Sequence, residues 1–252
     1  MTATDAGVLH SKVATVTLAF WVMKIAATTL GETAGDLLSM TLGLGYLASS
    51  GFLLAVFAGL LAGQLSAPRF HPVLFWSVVL ATSTAGTTLS DLLDRTLGLG
   101  YATGATVLAA CLALVLLAWR LTGKSISVSA ITSPRAEAFY WTAVLLSNTL
   151  GTALGDFLAD DSGLGFTGGA LLIGGLIALT ALASRIAGIN RVVLFWIAFV
   201  LTRPFGATFG DLLTKPLERG GLGIGTVGAS LVLFTLLATL VAVSMRRRRA
   251  IA

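Results

Sequence analysis

Apolar stretches of about 20 residues recur along almost the whole chain, separated by short connections that contain glycine or charged residues. A helix of that length crosses a hydrocarbon layer of roughly 30 Å. The pattern predicts eight membrane helices, at roughly 14–38, 45–66, 72–94, 101–121, 137–159, 165–185, 191–213 and 223–245. The expected fold is therefore that of an all-α integral membrane protein.

Every second predicted helix ends in nearly the same short sequence, built around an aspartate. The four copies are Gly35-Asp36-Leu37, Ser90-Asp91-Leu92, Gly155-Asp156-Phe157 and Gly210-Asp211-Leu212. Each aspartate follows a tryptophan by 15 residues, and a Gly-Leu-Gly segment comes shortly after it. The chain is thus expected to contain four repeats of two helices each.

The spacing of the tryptophans groups the repeats in pairs. Trp21 and Trp76 are 55 residues apart, as are Trp141 and Trp196, and Trp21 precedes Trp141 by 120 residues. A polar connection from 121 to 134 lies between the pairs. Two fused halves are expected, the first covering residues 1–121 and the second residues 122–252.

Because every repeat has two helices, all four are expected to cross the membrane in the same direction. Such parallel repeats are related by an axis along the membrane normal. The simplest arrangement is pseudo-fourfold, with the first helices lining a central polar axis. The second helices would act as scaffold, and Gly51, Ala55 and Gly59 suggest close packing between them.

Polar residues on the first helices lie four residues apart, counted back from each aspartate, so they share one helix face. The first repeat has Lys24, Thr28, Glu32 and Asp36, and the second has Ser83, Thr87 and Asp91. The third has Asn148, Thr152 and Asp156, and the fourth has Arg203, Ala207 and Asp211. Thr33 and other hydroxyls lie just off this face. A single hydroxyl of this kind often bonds only its own helix backbone, and an aspartate could simply cap the following loop.

Ionisable residues inside a membrane are costly and usually functional. The predicted cation site consists of Asp36, Asp91, Asp156, Asp211 and Glu32, lined by Thr28, Thr33, Ser83, Thr87, Asn148 and Thr152. Lys24 and Arg203 would tune its charge. Oxygen ligands favour hard or borderline ions, so we expect a transporter of a divalent cation, an exporter of an ion like Mn²⁺. Protons could replace the ion when it leaves, which would couple transport to protons.

Three other functions remain open at this point. A cation channel with a ring of acids fits the parallel repeats, and a structural or sensory role needs no ion at all. Intramembrane aspartyl hydrolases use a Gly-x-Gly-Asp pattern, but its first glycine is missing here. The residues in its place are Thr33, Thr88, Ala153 and Thr208. An enzyme is therefore not expected, and no cofactor beyond a transported ion is expected.

The distribution of charge predicts the orientation in the membrane. Only 11% of the residues are charged, compared with about 25% in soluble proteins. Eleven basic residues fall at the ends of the chain and in the connections between repeats: Lys12, Arg69, Arg120, Lys124, Arg135, Arg185, Arg191 and Arg246–Arg249. The other side has only Arg95, Lys215 and Arg219. This bias predicts that both termini are cytoplasmic and that the expected partners are lipid and an inorganic cation, not nucleic acid. The oligomeric state stays open.

The fourfold pattern resembles a repeat family of bacterial inner-membrane proteins of unknown function. The residues that carry the resemblance best are Trp21, Gly31, Gly35, Asp36, Gly43 and Gly45. Repeat two departs from the pattern with Ser90 before its aspartate. Repeat four departs with a longer loop and with Ile224 after Gly-Leu-Gly. The resemblance implies a bacterial cytoplasmic membrane and no particular activity.

Overall fold

The structure, a computed structural model, describes residues 12–122, 126, 131, 133–186 and 188–251, the last five as helical backbone only. This part of the chain contains eight long helices and no strand, which confirms the all-α prediction. The helices are α1 (Leu18–Asp36), α2 (Gly45–Ser66), α3 (Pro72–Asp91), α4 (Tyr101–Leu121), α5 (Pro134–Asp156), α6 (Gly165–Ala183), α7 (Arg191–Thr214) and α8 (Gly225–Ile251). Lys124 lies outside the described residues.

Local capping explains where two of the helices begin. α1 begins at Leu18 instead of residue 14 because the Thr17 hydroxyl accepts a hydrogen bond from the Phe20 amide. α5 begins at Pro134 instead of residue 137, since Ser133 caps it and proline suits the first helical position. α7 runs through Pro204 without a break, although a proline inside a helix often kinks or interrupts it.

Each of the first three repeats turns around through the same short connection. After Asp36, α1 passes into a five-residue π-helical turn, where the amide of Leu42 donates to the carbonyl of Leu37 at 2.8 Å. Gly43 and Gly45 then adopt positive φ angles of 70° and 72°. Side chains with a Cβ rarely adopt such angles, so the Gly-Leu-Gly segment is needed to bring α2 back antiparallel.

The four first helices form a closed ring. α1 packs against α3 and α7, and α5 also packs against α3 and α7. Each second helix packs mainly against the first helix of the following repeat: α2 on α3, α4 on α5, α6 on α7, and α8 on α1. The last repeat thus contacts the first in the same way as the others contact their successors.

One glycine per repeat lets the ring helices approach closely. It is the glycine five residues before the aspartate, and it faces the residue eight before the aspartate of the next repeat. The pairs are Gly31 with Ser83, Gly86 with Asn148, Gly151 with Arg203, and Gly206 with Thr28. At Gly86 an added Cβ would lie 3.0 Å from backbone and side-chain atoms of Asn148, so a larger residue would require the neighbouring helix to shift.

The small residues of α2 do not serve the close packing that was predicted for them. An added Cβ on Gly51 or Gly59 would find no atom within 4 Å, and Ala55 is exposed. α2 instead buries the opposite side, with Leu53 and Phe57, against the bundle. The prediction was wrong because α2 is an outer helix with one packed face, and these three residues lie on the other face.

The outer surface is that of a multi-pass membrane protein. Six helices are long and apolar enough to cross a membrane, namely α2, α3, α4, α6, α7 and α8. Large apolar side chains stand exposed along the outer helices, such as Leu47 at 72% and Leu171 at 72%. α1 and α5 belong to the inner ring and carry buried polar side chains, which lowers their hydropathy without exposing them to lipid.

Aromatic side chains close one end of the ring, near the beginnings of the first helices. Trp76, Trp141 and Trp196 are buried there. Their neighbours are also aromatic: the ring centroids of Phe75 and Trp141 are 5.5 Å apart, and those of Tyr140 and Trp196 are 6.4 Å apart. The aspartates lie at the other end of the same helices.

Candidate functional site

The interior of the ring is built in layers, because side chains four residues apart lie above one another on each first helix. The layer eight residues before the aspartates consists of Thr28, Ser83, Asn148 and Arg203. The next layer consists of Glu32, Thr87, Thr152 and Ala207. All eight residues are buried. The predicted polar face of each first helix therefore does point into the ring.

Arg203 of α7 crosses the ring and contacts all three other first helices. Its Nη1 donates to Glu32 Oε2 on α1 at 2.9 Å, and its Nη2 donates to Thr152 Oγ1 on α5 at 2.6 Å. Nη2 also donates to the Thr87 hydroxyl on α3. The guanidinium thus contacts every member of this layer that has a polar side chain, and the fourth member is Ala207. Arg203 is fully buried and occupies the axis.

Lys24 lies one layer further toward the aromatic end. Its Nζ donates to Asn148 Oδ1 at 3.3 Å and lies 4.2 Å from the centroid of the Phe199 ring. Asn148 in turn donates to Thr82 at 3.0 Å. No carboxylate of the described residues lies within 4.0 Å of this ammonium group. The lysine is therefore held by neutral partners, apart from the acids.

Asp36 and Asp211 share one cation. Lys215 Nζ lies 2.8 Å from Asp36 Oδ2 and 3.0 Å from Asp211 Oδ1. Lys215 follows Asp211 by four residues and reaches across to the first repeat. Burial lowers its pKa, but the charges of Asp211 and Asp36 raise it more, so the net pKa lies above the usual value. The lysine stays protonated over the physiological range.

Asp91 and Asp156 share a second cation in the same way. Arg95 Nε lies 2.8 Å from Asp91 Oδ1, and its Nη2 donates to Asp156 Oδ2 at 3.1 Å. Arg95 follows Asp91 by four residues and reaches the third repeat. The carboxylates of neighbouring repeats are thus bridged in two pairs, each by a cation from an even-numbered repeat.

Three of the acids converge. Glu32, Asp36 and Asp211 each offer a carboxylate oxygen, and these oxygens all lie within 4.8 Å of one another. Each carboxylate already lies against a cation of the protein, through Oε2 of Glu32, Oδ2 of Asp36 and Oδ1 of Asp211. All three residues are buried, with at most 4% exposed. These oxygens could hold a metal ion.

The cations bound to the acid end do not balance its charge. The five carboxylates of Glu32 and the four aspartates face three cations, Arg95, Arg203 and Lys215. With all five carboxylates ionised, two negative charges are left at this level of the ring. Since buried charges are stable only when they are compensated, the acid end favours a further positive charge.

The predicted residues thus have different places. Thr87 and Thr152 bind Arg203, the carbonyls of Thr28 and Ser83 accept from Arg203 at 3.4 Å each, and Asn148 binds Lys24. The prediction that Thr33 lines the site is wrong, because Thr33 points outward from the ring and accepts a hydrogen bond from Ser230 of α8 at 2.9 Å. It was placed by spacing alone, just off the polar face.

Two simpler interpretations were open, namely that the aspartates cap the following turn and that the hydroxyls bond only their own helix. Asp36, Asp91 and Asp156 make no capping hydrogen bond to the turn that follows them, so capping does not explain them. The hydroxyls off the polar face do bond their own helix, as Thr29 does to the carbonyl of Ile25 at 2.9 Å and Thr84 to that of Leu80 at 2.8 Å. The charged ladder and the neutral hydroxyls therefore have different roles.

Two residues of the site were missed by the sequence analysis. Arg95 and Lys215 were assigned to loops and counted only for orientation. Their positions could have identified them. Each follows an aspartate by four residues, so it lies on the same helix face as that aspartate if the helix continues past it. At the same position the other repeats have Met40 and Asp160, so a search for common features of all four repeats overlooks these cations.

The comparisons with known proteins agree with the internal repeats. A family described as a repeat of unknown function, DUF347, matches residues 19–70, 74–125, 139–189 and 194–250. No curated protein matches, and no solved structure matches. The four matched segments coincide with the four helix pairs and cover most of the sequence. The chain therefore belongs to the DUF347 repeat family.

Proposed function

We propose that this protein is a secondary transporter of a divalent metal cation, an ion like Mn²⁺, and that it works as an exporter. Glu32, Asp36 and Asp211 bind the ion, while Asp91 and Asp156 complete the acidic end of the pathway. In this proposal all eight helices cross the membrane, and the four repeats are related by a pseudo-fourfold axis.

The convergence of Glu32, Asp36 and Asp211 carries the proposal. Mg²⁺ binds oxygen at about 2.1 Å and Ca²⁺ at about 2.3–2.6 Å, so ligands on opposite sides of an ion are about 4–5 Å apart. Carboxylate oxygens within 4.8 Å of one another fit that separation. The uncompensated negative charge at the same level favours binding of a cation.

Arg203 supports a carrier more than an open channel. Its guanidinium group contacts all three other ring helices directly below the acids. An ion could pass this level only if the Arg203 contacts to Glu32, Thr87 and Thr152 rearranged. Carriers couple passage to such a rearrangement, whereas a channel needs a continuous path.

The remaining parts of the proposal follow from charge. Basic residues at the ends of the chain and in the connections between repeats support the proposal that both termini are cytoplasmic. The acid end of the ring then faces the outer side of a bacterial inner membrane. Protons replace the ion on the carboxylates when it leaves, because so many neighbouring carboxylates cannot all remain ionised without a counter-charge.

Transport by purified protein in proteoliposomes tests this function. We expect Mn²⁺ flux that responds to a proton gradient, and we expect Asp36→Asn and Asp211→Asn each to reduce the flux at least tenfold. Asp161→Asn is the matched control, since Asp161 is exposed in a connection and loses the same charge. If the unchanged protein and the three variants all gave equal flux, the proposed site would be wrong. Fast flux that ignores the proton gradient would indicate a channel.

A further inference from the structure

The ammonium group of Lys215 occupies a position that a bound cation would take. We propose that Lys215 is a tethered competitor at the ion site and that it makes the site select divalent over monovalent cations. This inference rests on the proposed function, because it concerns the same carboxylates.

The first support is the geometry of the ammonium group. Lys215 Nζ lies 2.8 Å from Asp36 Oδ2 and 3.0 Å from Asp211 Oδ1, between two of the three convergent acids. An ion shared by Asp36 and Asp211 would lie between their carboxylates, where the ammonium group of Lys215 lies. The lysine and the ion therefore exclude each other.

The second support is that the side chain can leave while its backbone stays in place. The amide of Lys215 donates to the carbonyl of Asp211 at 2.9 Å, and its carbonyl accepts from Gly223 at 2.9 Å. Gly221 lies so close to this carbonyl that a Cβ would overlap it. In contrast, the side chain is 19% exposed, and its four methylene groups give the ammonium a path toward solvent.

The third support is the charge at the acid end. With Lys215 in place, two negative charges are uncompensated. Exchange of the ammonium for a divalent ion leaves one uncompensated charge. Exchange for Na⁺ or K⁺ leaves two. Either exchange removes the charge-assisted hydrogen bond to Asp36 and the ion pair with Asp211. Only a divalent cation therefore improves the charge balance on displacing Lys215.

Arg95 bridges the other pair of aspartates but is less suited to exchange. It uses two different nitrogens, Nε toward Asp91 and Nη2 toward Asp156, and its guanidinium carbon lies 5.5 Å from the centroid of the Tyr101 ring. A guanidinium has a fixed fork of donors, whereas an ammonium is a single point charge on a flexible stem. The two bridged pairs are thus unequal, and the exchangeable pair is Asp36 with Asp211.

Binding of Mn²⁺ to the purified full-length protein in detergent tests this role. We expect Lys215→Gln to bind Mn²⁺ at least tenfold more tightly than the unchanged protein. We also expect Na⁺ to weaken Mn²⁺ binding to Lys215→Gln several-fold more than N-methylglucamine does at equal ionic strength. In the unchanged protein, Na⁺ and N-methylglucamine should weaken Mn²⁺ binding to the same extent. Arg219→Gln, which removes an exposed charge from the same loop, should behave like the unchanged protein.

Chemical labelling of lysine gives a second readout. The chain has four lysines, Lys12, Lys24, Lys124 and Lys215, so mass spectrometry can follow each one after reaction with an amine-reactive ester. We expect Mn²⁺ to speed the labelling of Lys215 several-fold and to leave the labelling of Lys12 unchanged.

The outcomes separate the two proposals. If Mn²⁺ binds the unchanged protein and Lys215→Gln with equal affinity, and labelling of Lys215 ignores Mn²⁺, the competitor role is wrong and the ion site stands. If neither protein binds Mn²⁺, the proposed function itself is wrong.

Discussion

At the scale of single residues, charge pairing organises the interior of the ring. Glu32 is paired with Arg203, and the aspartates are paired through Lys215 and Arg95. These cations occur once each and break the equivalence of the repeats. Three repeats have a polar or acidic residue at one level, where the fourth has Ala207, and Arg203 of that fourth repeat contacts all three of those residues.

The Arg203 pair leads to a prediction about stability. Arg203→Gln leaves Glu32 buried with no cation on it, so we expect the free energy of unfolding to fall by about 3–5 kcal/mol, the usual cost of breaking a buried pair. Thermal unfolding in detergent measures the loss. Arg191→Gln, at the exposed start of the same helix, should leave the melting temperature nearly unchanged. The double variant Glu32→Gln, Arg203→Gln should recover part of the loss. Equal melting temperatures for Arg203→Gln and Arg191→Gln would contradict the pairing.

At the scale of helices, the packing differs between inner and outer elements. Each first helix contacts two other first helices through glycine, and each second helix leans on the first helix of the next repeat. Glycines therefore have opposite roles in the two classes of helix. On the inner helices they allow a close contact, and on α2 they lie on the face away from the bundle.

This difference gives a matched pair of substitutions. Gly86→Val on α3 places a side chain where a Cβ alone would be 3.0 Å from Asn148, and overpacking of this kind costs about 1–3 kcal/mol. Gly51→Val on α2 meets nothing within 4 Å. Both glycines are helical, so intrinsic helix propensity changes equally. We expect a lower melting temperature in detergent for the first variant only. A similar loss in both would mean that the α3–α5 contact is not the cause.

At the scale of the whole molecule, the ring and the outer helices give the protein two distinct ends. One end contains the four Gly-Leu-Gly turns, the bridged aspartates and the convergent acids. The other end contains the aromatic cluster and most of the basic residues. The site of the proposed transporter therefore lies near one end of the ring, and the aromatic cluster closes the other end.

The proposed orientation can be tested by cysteine labelling in intact cells. In a Cys111→Ala background, single cysteines would replace the exposed central leucines of the turns, which are Leu44, Leu99, Leu164 and Leu222. A membrane-impermeant maleimide should label all four from outside. Cysteines at Ser66, the last residue of α2, and at Ile189, in the connection before α7, lie at the other end and should react only after the cells are opened. The reverse pattern would place the acid end in the cytoplasm.

Much of the architecture could be predicted from the sequence because it repeats and because its pattern is local. Helices, glycine turns and the inward face of the polar ladder depend on residues a few positions apart. Arg95 and Lys215 could not be recognised as site residues in this way, since their partners Asp156 and Asp36 are 61 and 179 residues away. Gly51 and Thr33 were misplaced for a similar reason, because spacing gives a face but not the neighbour on it.

The sequence by itself determined the number of repeats, the helical class and the set of acids, because hydrophobic length and helical period act along the chain. Only the tertiary structure decided which charges meet. Charge pairing acts through space at about 3 Å and depends on how the ring closes. Closure placed Lys215 of the last repeat on Asp36 of the first and Arg203 of the last repeat on Glu32 of the first, and it brought three carboxylates together.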